Sequence, residues 1–74
     1  MQPYANRGGS SPIKGYKIDK DSITVVFSGG DTYVYDYKST GRPHIAEMQR
    51  LASEGAGLAA YISQHVRQRY ARKL

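Results

Sequence analysis

Ile23-Thr24-Val25-Val26-Phe27-Ser28-Gly29-Gly30-Asp31-Thr32-Tyr33-Val34-Tyr35-Asp36-Tyr37 reads as two strands and the hairpin that joins them. Successive side chains of a strand point to opposite faces, so Ile23, Val25 and Phe27 share one side, and Tyr33, Tyr35 and Tyr37 share one side of the next strand. Whether those two sides coincide depends on the loop. A two-residue Gly29-Gly30 turn pairs Ser28 with Asp31, Val26 with Tyr33 and Thr24 with Tyr35, which leaves the tyrosines exposed as a platform for stacked bases. A three-residue Gly29-Gly30-Asp31 loop instead pairs Phe27 with Tyr33, Val25 with Tyr35 and Ile23 with Tyr37, which makes the rings core. The second choice segregates the faces better. It leaves Thr24, Ser28, Thr32 and Asp36 with Val26 and Val34 on the other side, and one-sided burial fixes register strongly. It is therefore the expected register, with Tyr37, at the strand end beside Lys38, as the ring that escapes burial.

Upstream, Ile13 to Asp19 reads as a first strand with Tyr16 and Ile18 on one face and Gly15 as a bulge, followed by a turn at Asp19-Lys20-Asp21-Ser22. Residues 1–12 are rich in Gly, Ser, Asn and Pro without periodicity, and are expected to form a flexible arm. Downstream, Thr40 is a candidate N-cap and Pro43 suits a first helical turn. Ile45, Met48, Leu51 and Ala52 then form an apolar stripe, with Glu47 and Arg50 outward and Glu54 four residues beyond Arg50. Gly55-Ala56-Gly57 ends that helix. A second helix is expected from Leu58, where Leu58, Ile62, Val66, Tyr70 and Leu74 recur at i+4 and drift about 40° per step. Arg69 and Lys73 project into that stripe, so their stems pack with the charges snorkelling, or the helix frays there. The expectation is an α+β fold: a three-stranded antiparallel meander followed by two α-helices on one face, in one domain over residues 13–74.

Seventy-four residues make one small core, and deep clefts are not expected at this size. The absence of cysteine excludes disulfides, thiolate metal ligands and a thiol nucleophile. No signal-like or membrane-spanning apolar run occurs, so a soluble, cytoplasmic protein is expected. Eleven Lys and Arg against six Asp and Glu give a formal charge of +5. The excess is C-terminal: residues 61–74 hold Arg67, Arg69, Arg72 and Lys73 and no acid. Such a pole attracts polyanions.

The Ile23, Val25, Phe27 strand, the glycine turn, the Tyr33-x-Tyr35 pair and the terminal Val66-Arg67-x-x-Tyr70 segment together resemble the KTSC family over about residues 13–70. These are small domains at the C-terminus of some lysyl-tRNA synthetases that also occur as free-standing bacterial proteins. An Asn frequent before the family's terminal element is absent, the region holding Ala59, Ala60 and Ser63. The resemblance implies a compact α+β domain, a structural role for Tyr33 and Tyr35, and, through the synthetase association, RNA binding.

The function expected is a non-enzymatic nucleic-acid-binding module, with RNA as ligand. Arg67, Arg69, Arg72 and Lys73 on a basic C-terminal helix would meet phosphates, Lys38, Arg42 and Arg50 would extend the surface, and Tyr61, Tyr70 or Tyr37 would stack on bases. The alternative is a protein-interaction or homodimerising accessory module that docks a partner on the Val26 and Val34 face or on a free strand edge. No cofactor or metal is expected, since Asp19 and Asp21 lack the other ligands of a calcium loop. His44 reads as a solvated residue near a helix start and His65 as packing at a stripe edge, with nothing to align either as a catalytic base.

Overall fold

The computed structural model describes residues 1–7, 9 and 11–74. Five strands form one antiparallel sheet in the order β1-β2-β3-β4-β5: β1 Gln2–Pro3, β2 Ile13–Ile18, β3 Ser22–Phe27, β4 Thr32–Asp36 and β5 Arg72–Lys73. Helix α1 spans Arg42–Glu54, and a short α2, Leu58–Tyr61, runs into a π-helical turn at Ile62–Val66. The α+β class and the central meander are as expected. The sheet has five strands where three were expected, because the chain's two ends each add a short strand at an edge.

The faces of the hairpin follow the expected segregation, but the loop sits one residue earlier. Phe27 N–H donates to Asp31 O at 2.8 Å, and Val25 lies opposite Tyr33 and Ile23 opposite Tyr35. The three loop residues are thus Ser28, Gly29 and Gly30, with the positive φ of 97° at Gly30, where glycine costs least. Sliding the loop by one residue moves every cross-strand pair by two and so preserves the faces. Tyr35 and its neighbours Ile23 and Val25 are buried, and Phe27 meets Tyr33 edge to face at 5.8 Å. In β2 the register slips between Ile13 and Gly15, so that Lys14 is the extra residue of the bulge and Tyr16 regains the core side opposite Val25.

Ile45, Met48 and Ala52 of α1, and Leu58, Ile62 and Val66 beyond it, bury against Ile13, Ile23, Val25 and Tyr35. Gln49 ties the helix to the β2–β3 turn, its amide donating to the carbonyls of Asp19 and Ser22 at 3.0 Å each. The helix starts from Gly41, with Pro43 in its first turn, and not from Thr40. Thr40 is buried, and its hydroxyl donates to the carbonyl of Arg69 at 2.5 Å in place of capping the helix.

Two expectations are corrected at the chain ends. The N-terminal segment is docked: Gln2 and Pro3 pair with Tyr16 and Gly15, and Tyr4 is buried. Tyr4 Oη accepts the N–H of Leu58 at 3.3 Å, satisfying a free donor at the start of α2. Arg7 donates from Nε to Glu54 O at 2.7 Å, and from its backbone N–H to Gly55 O at 2.8 Å, closing the end of α1. Gly8 and Ser10, also within the expected flexible arm, lie outside the described residues. At the other end the expected long helix stops at Val66. Arg67 takes a φ of 41° and its N–H donates back to Ile62 O at 2.6 Å, an i to i−5 bond. Three four-residue steps on from Leu58, a continued helix would have turned Tyr70 about 120° away from the core face. The break instead lets Tyr70 pack on Tyr33 and Tyr35, with ring centroids 4.6 and 6.2 Å apart. It also lets β5 pair with β4, otherwise an open edge, as Ala71 and Leu74 N–H groups donate to Val34 and Thr32 carbonyls.

Candidate functional site

The basic residues do not form one helical stripe. Arg67 ends the π turn, Arg69 lies in the turn that follows, and Arg72 and Lys73 are on β5. All four are exposed. The Thr40 to Arg69 hydrogen bond holds the turn containing Arg69 against the β4–α1 connection, which carries Lys38 and leads directly into Arg42, the first residue of α1. Two cationic segments remote in sequence therefore meet at one edge of the molecule. Lys38 and Arg42 are exposed, and the Arg42 guanidinium sits 5.1 Å from the ring centre of Tyr37. Tyr37 is half-buried, its hydroxyl donating to Lys20 O at 3.3 Å. Asp36, the nearest acid in sequence, accepts the N–H of Ser39 at 2.8 Å.

The other expected contacts divide differently. Arg50 binds both Glu47 and Glu54, bridging to Glu54 Oε2 at 2.6 Å. That pairing lowers the pKa of the Glu47 carboxyl below its ordinary value, chiefly through the hydrogen bond from Arg50, and raises that of Arg50. Lys73 reaches Asp31 at 3.3 Å and lies 5.7 Å from the Tyr33 ring centre; the hydrogen bond and charge of Asp31 raise its pKa. Among the described residues, Lys38, Arg42, Arg67, Arg69 and Arg72 make no ion pair. Arg72 stands on the outer face of the sheet in the row Lys17, Thr24, Val34, Arg72, where Thr24 and Val34 are buried and the two long cations flank them. Val34 is thus not free apolar surface. Tyr70, packed on Tyr33 and Tyr35, belongs with the core rings.

A cluster that the sequence kept apart lies where α1 and the π turn come together. His44 Nδ1 shares a 2.7 Å hydrogen bond with Tyr61 Oη, Tyr61 lies 4.4 Å from His65 ring to ring, and the two imidazoles are 6.1 Å apart. His65 is exposed; His44 and Tyr61 are half-buried. Burial, and then the Glu47 carboxylate, push the Tyr61 phenol above its ordinary pKa. Nothing in the one-dimensional pattern brings positions 44 and 65 together; only the crossing of two helices does. His44 is two residues from Arg42, and His65 two residues from Arg67, so the ring cluster and the cationic edge share both chain segments. Three shallow grooves of about 290 to 400 Å³ along the N-terminal segment and β2 include none of these residues.

No group of three or more metal-ligating side chains occurs among the described residues, and no helix among them is long and apolar enough to cross a membrane. No family model, no curated protein and no solved structure matches the chain.

Proposed function

We propose that this protein is a binding module for nucleic acid, RNA in the first place, and that it meets phosphates with Lys38, Arg42, Arg67 and Arg69. The observation that carries this reading is the joining of two cationic segments through the Thr40 to Arg69 hydrogen bond, with all four side chains exposed and free of ion pairs among the described residues. Cations already spent on carboxylates, as Arg50 and Lys73 are, would have to break those pairs before they could neutralise a phosphate. Four cations left unpaired on one edge concentrate positive potential where a polyanion can replace its counterions. The resemblance to KTSC domains supports the same reading through their association with a tRNA synthetase.

Anisotropy of a labelled single-stranded oligoribonucleotide tests it. Four phosphate contacts give a slope of log affinity on log salt of about −2.8, or roughly a 50-fold loss between 50 and 200 mM. Replacing Lys38, Arg42 or Arg69 by Ala should each flatten the slope by about 0.7, while Arg50→Ala should leave it unchanged. Failure to bind any RNA or DNA at low salt, or an Arg50→Ala effect as large as that of Arg69→Ala, would overturn the proposal.

A further inference from the structure

We infer that His44, Tyr61 and His65 form a subsite for an unpaired nucleobase next to the cationic edge, so that the ligand is taken as a single strand. The inference rests on the binding function proposed above and deepens it. A single strand is held without sequence preference by two elements: cations that follow the phosphates, and rings on which exposed bases stack. The cations have been placed; the rings can be found by elimination. Tyr4 and Tyr35 are buried, Phe27, Tyr33 and Tyr70 pack on one another, Tyr37 is covered by the Arg42 guanidinium, and Tyr16, half-buried on β2 beside β1, is separated by β3 from the strand that leads to the cations. The outer sheet face, with Gly15, Lys17, Thr24, Val26, Thr32, Val34 and Arg72 in register, carries no aromatic ring among these positions, so it offers no stacking platform.

What is left is the cluster at the α1 and π-turn crossing. Both histidines of the chain lie in it, 21 positions apart in sequence and 6.1 Å apart in space. Its parts are ordered before any ligand arrives. The bond between Tyr61 Oη and His44 Nδ1 fixes two of the rings, and Tyr61 backs His65 at 4.4 Å with a tilt of 33°. A side chain already oriented loses less freedom on binding. His65 is exposed, which leaves an aromatic face open to a base. The carboxylate nearest Tyr61, that of Glu47, is paired with Arg50. Arg42 and His44 are two residues apart at the start of α1, and His65 and Arg67 are two residues apart where the π turn ends, so the rings stand within two residues of a cation on both segments, near enough for one strand to reach both. In a duplex the bases are already stacked on one another and cannot be shared.

The test compares a short labelled oligoadenylate with the same strand annealed to its complement, at one low salt concentration. The single strand should bind roughly 10-fold more tightly, in line with one stacked base. His65→Ala should remove most of that preference, weakening the single strand by roughly 10-fold and the duplex hardly at all. Tyr61→Leu should do the same if its amide spectrum shows a folded protein, and His65→Ala, at an exposed position, carries the test if it does not. Gln64→Ala, exposed beside them, should change neither affinity. Duplex binding as tight as the single strand, or a His65→Ala loss equal on both ligands, overturns the subsite while leaving the cationic edge intact. Absence of binding to either ligand overturns the cationic edge and the subsite together.

Discussion

Tyr35 shows how a single side chain can commit a whole face. It is 2% exposed and lies at the centre of the tyrosine row, opposite Ile23 and against Tyr70. Burial, followed by the neighbouring phenols of Tyr33 and Tyr70, pushes its pKa up to about 12. In the unfolded chain the same phenol ionises near pH 10, so between these values the unfolded state loses its proton first. The contribution to stability is complete below about pH 10, falls as the pH rises from there, and is gone above about 12, amounting to roughly 3 kcal/mol at most. Urea unfolding between about pH 9 and 12 should show that decline, and Tyr35→Phe should remove most of it. An equal decline in the Phe variant would assign the effect to other tyrosines. Thr40 is the polar counterpart: a buried hydroxyl whose single bond to Arg69 sets where the cations stand.

At the scale of elements, the decisive surprise is the N-terminal strand. Glycine, serine and proline composition pointed to a loose arm, yet one aromatic residue, Tyr4, enters the core and caps α2 with its hydroxyl. Tyr4→Phe keeps the ring and loses the acceptor for Leu58 N–H, at a cost of about 1–3 kcal/mol. Tyr4→Ala also empties the site and should cost about 3–5 kcal/mol, comparable with Phe to Ala changes in other cores. Urea midpoints at constant m-value measure both, and a Tyr4→Ala protein as stable as the parent would mean the segment does not fold with the domain. Gly55 belongs to the same joint: its φ is 76°, and a Cβ there would collide with Ala5, so the arm can approach α1 only over a glycine. The central hairpin and the stripe of α1 were legible because period-two and period-3.6 patterns are local and one-sided. Ile23, Val25, Tyr35, Ile45, Met48, Ala52, Leu58, Ile62 and Val66 all fall where those patterns put them. The edge strands were not legible, since two-residue pairings leave no period to read and depend on an open edge elsewhere. The same holds for the site. Charge clustering pointed alike to Arg67, Arg69, Arg72 and Lys73, but whether a cation is free or already paired, as Lys73 and Arg50 are, and which rings lie beside it, is decided by tertiary contact.

The molecule as a whole separates what stabilises it from what we propose it uses for binding. Its stability comes from one apolar layer between the sheet and the helices, and a chain of this length should unfold at a total of roughly 4–11 kcal/mol. The ion pairs found among the described residues, Arg50 with Glu47, Arg50 with Glu54 and Lys73 with Asp31, are solvent-exposed, with side-chain accessibilities from 36% to 57%. Exposed pairs of this kind contribute about 0–1 kcal/mol each and are screened by salt. Opposing them, a net charge of +5 repels itself, and salt relieves that repulsion. These two small effects run in opposite directions. Raising salt from about 50 to 500 mM should therefore move the free energy of unfolding by less than about 1 kcal/mol, while binding of an oligoribonucleotide falls steeply over the same range. Both quantities can be measured on one preparation, by urea titration and by anisotropy. If stability fell in step with affinity, the charged edge would be holding the fold together, and the assignment of Lys38, Arg42, Arg67 and Arg69 to a ligand would lose its basis.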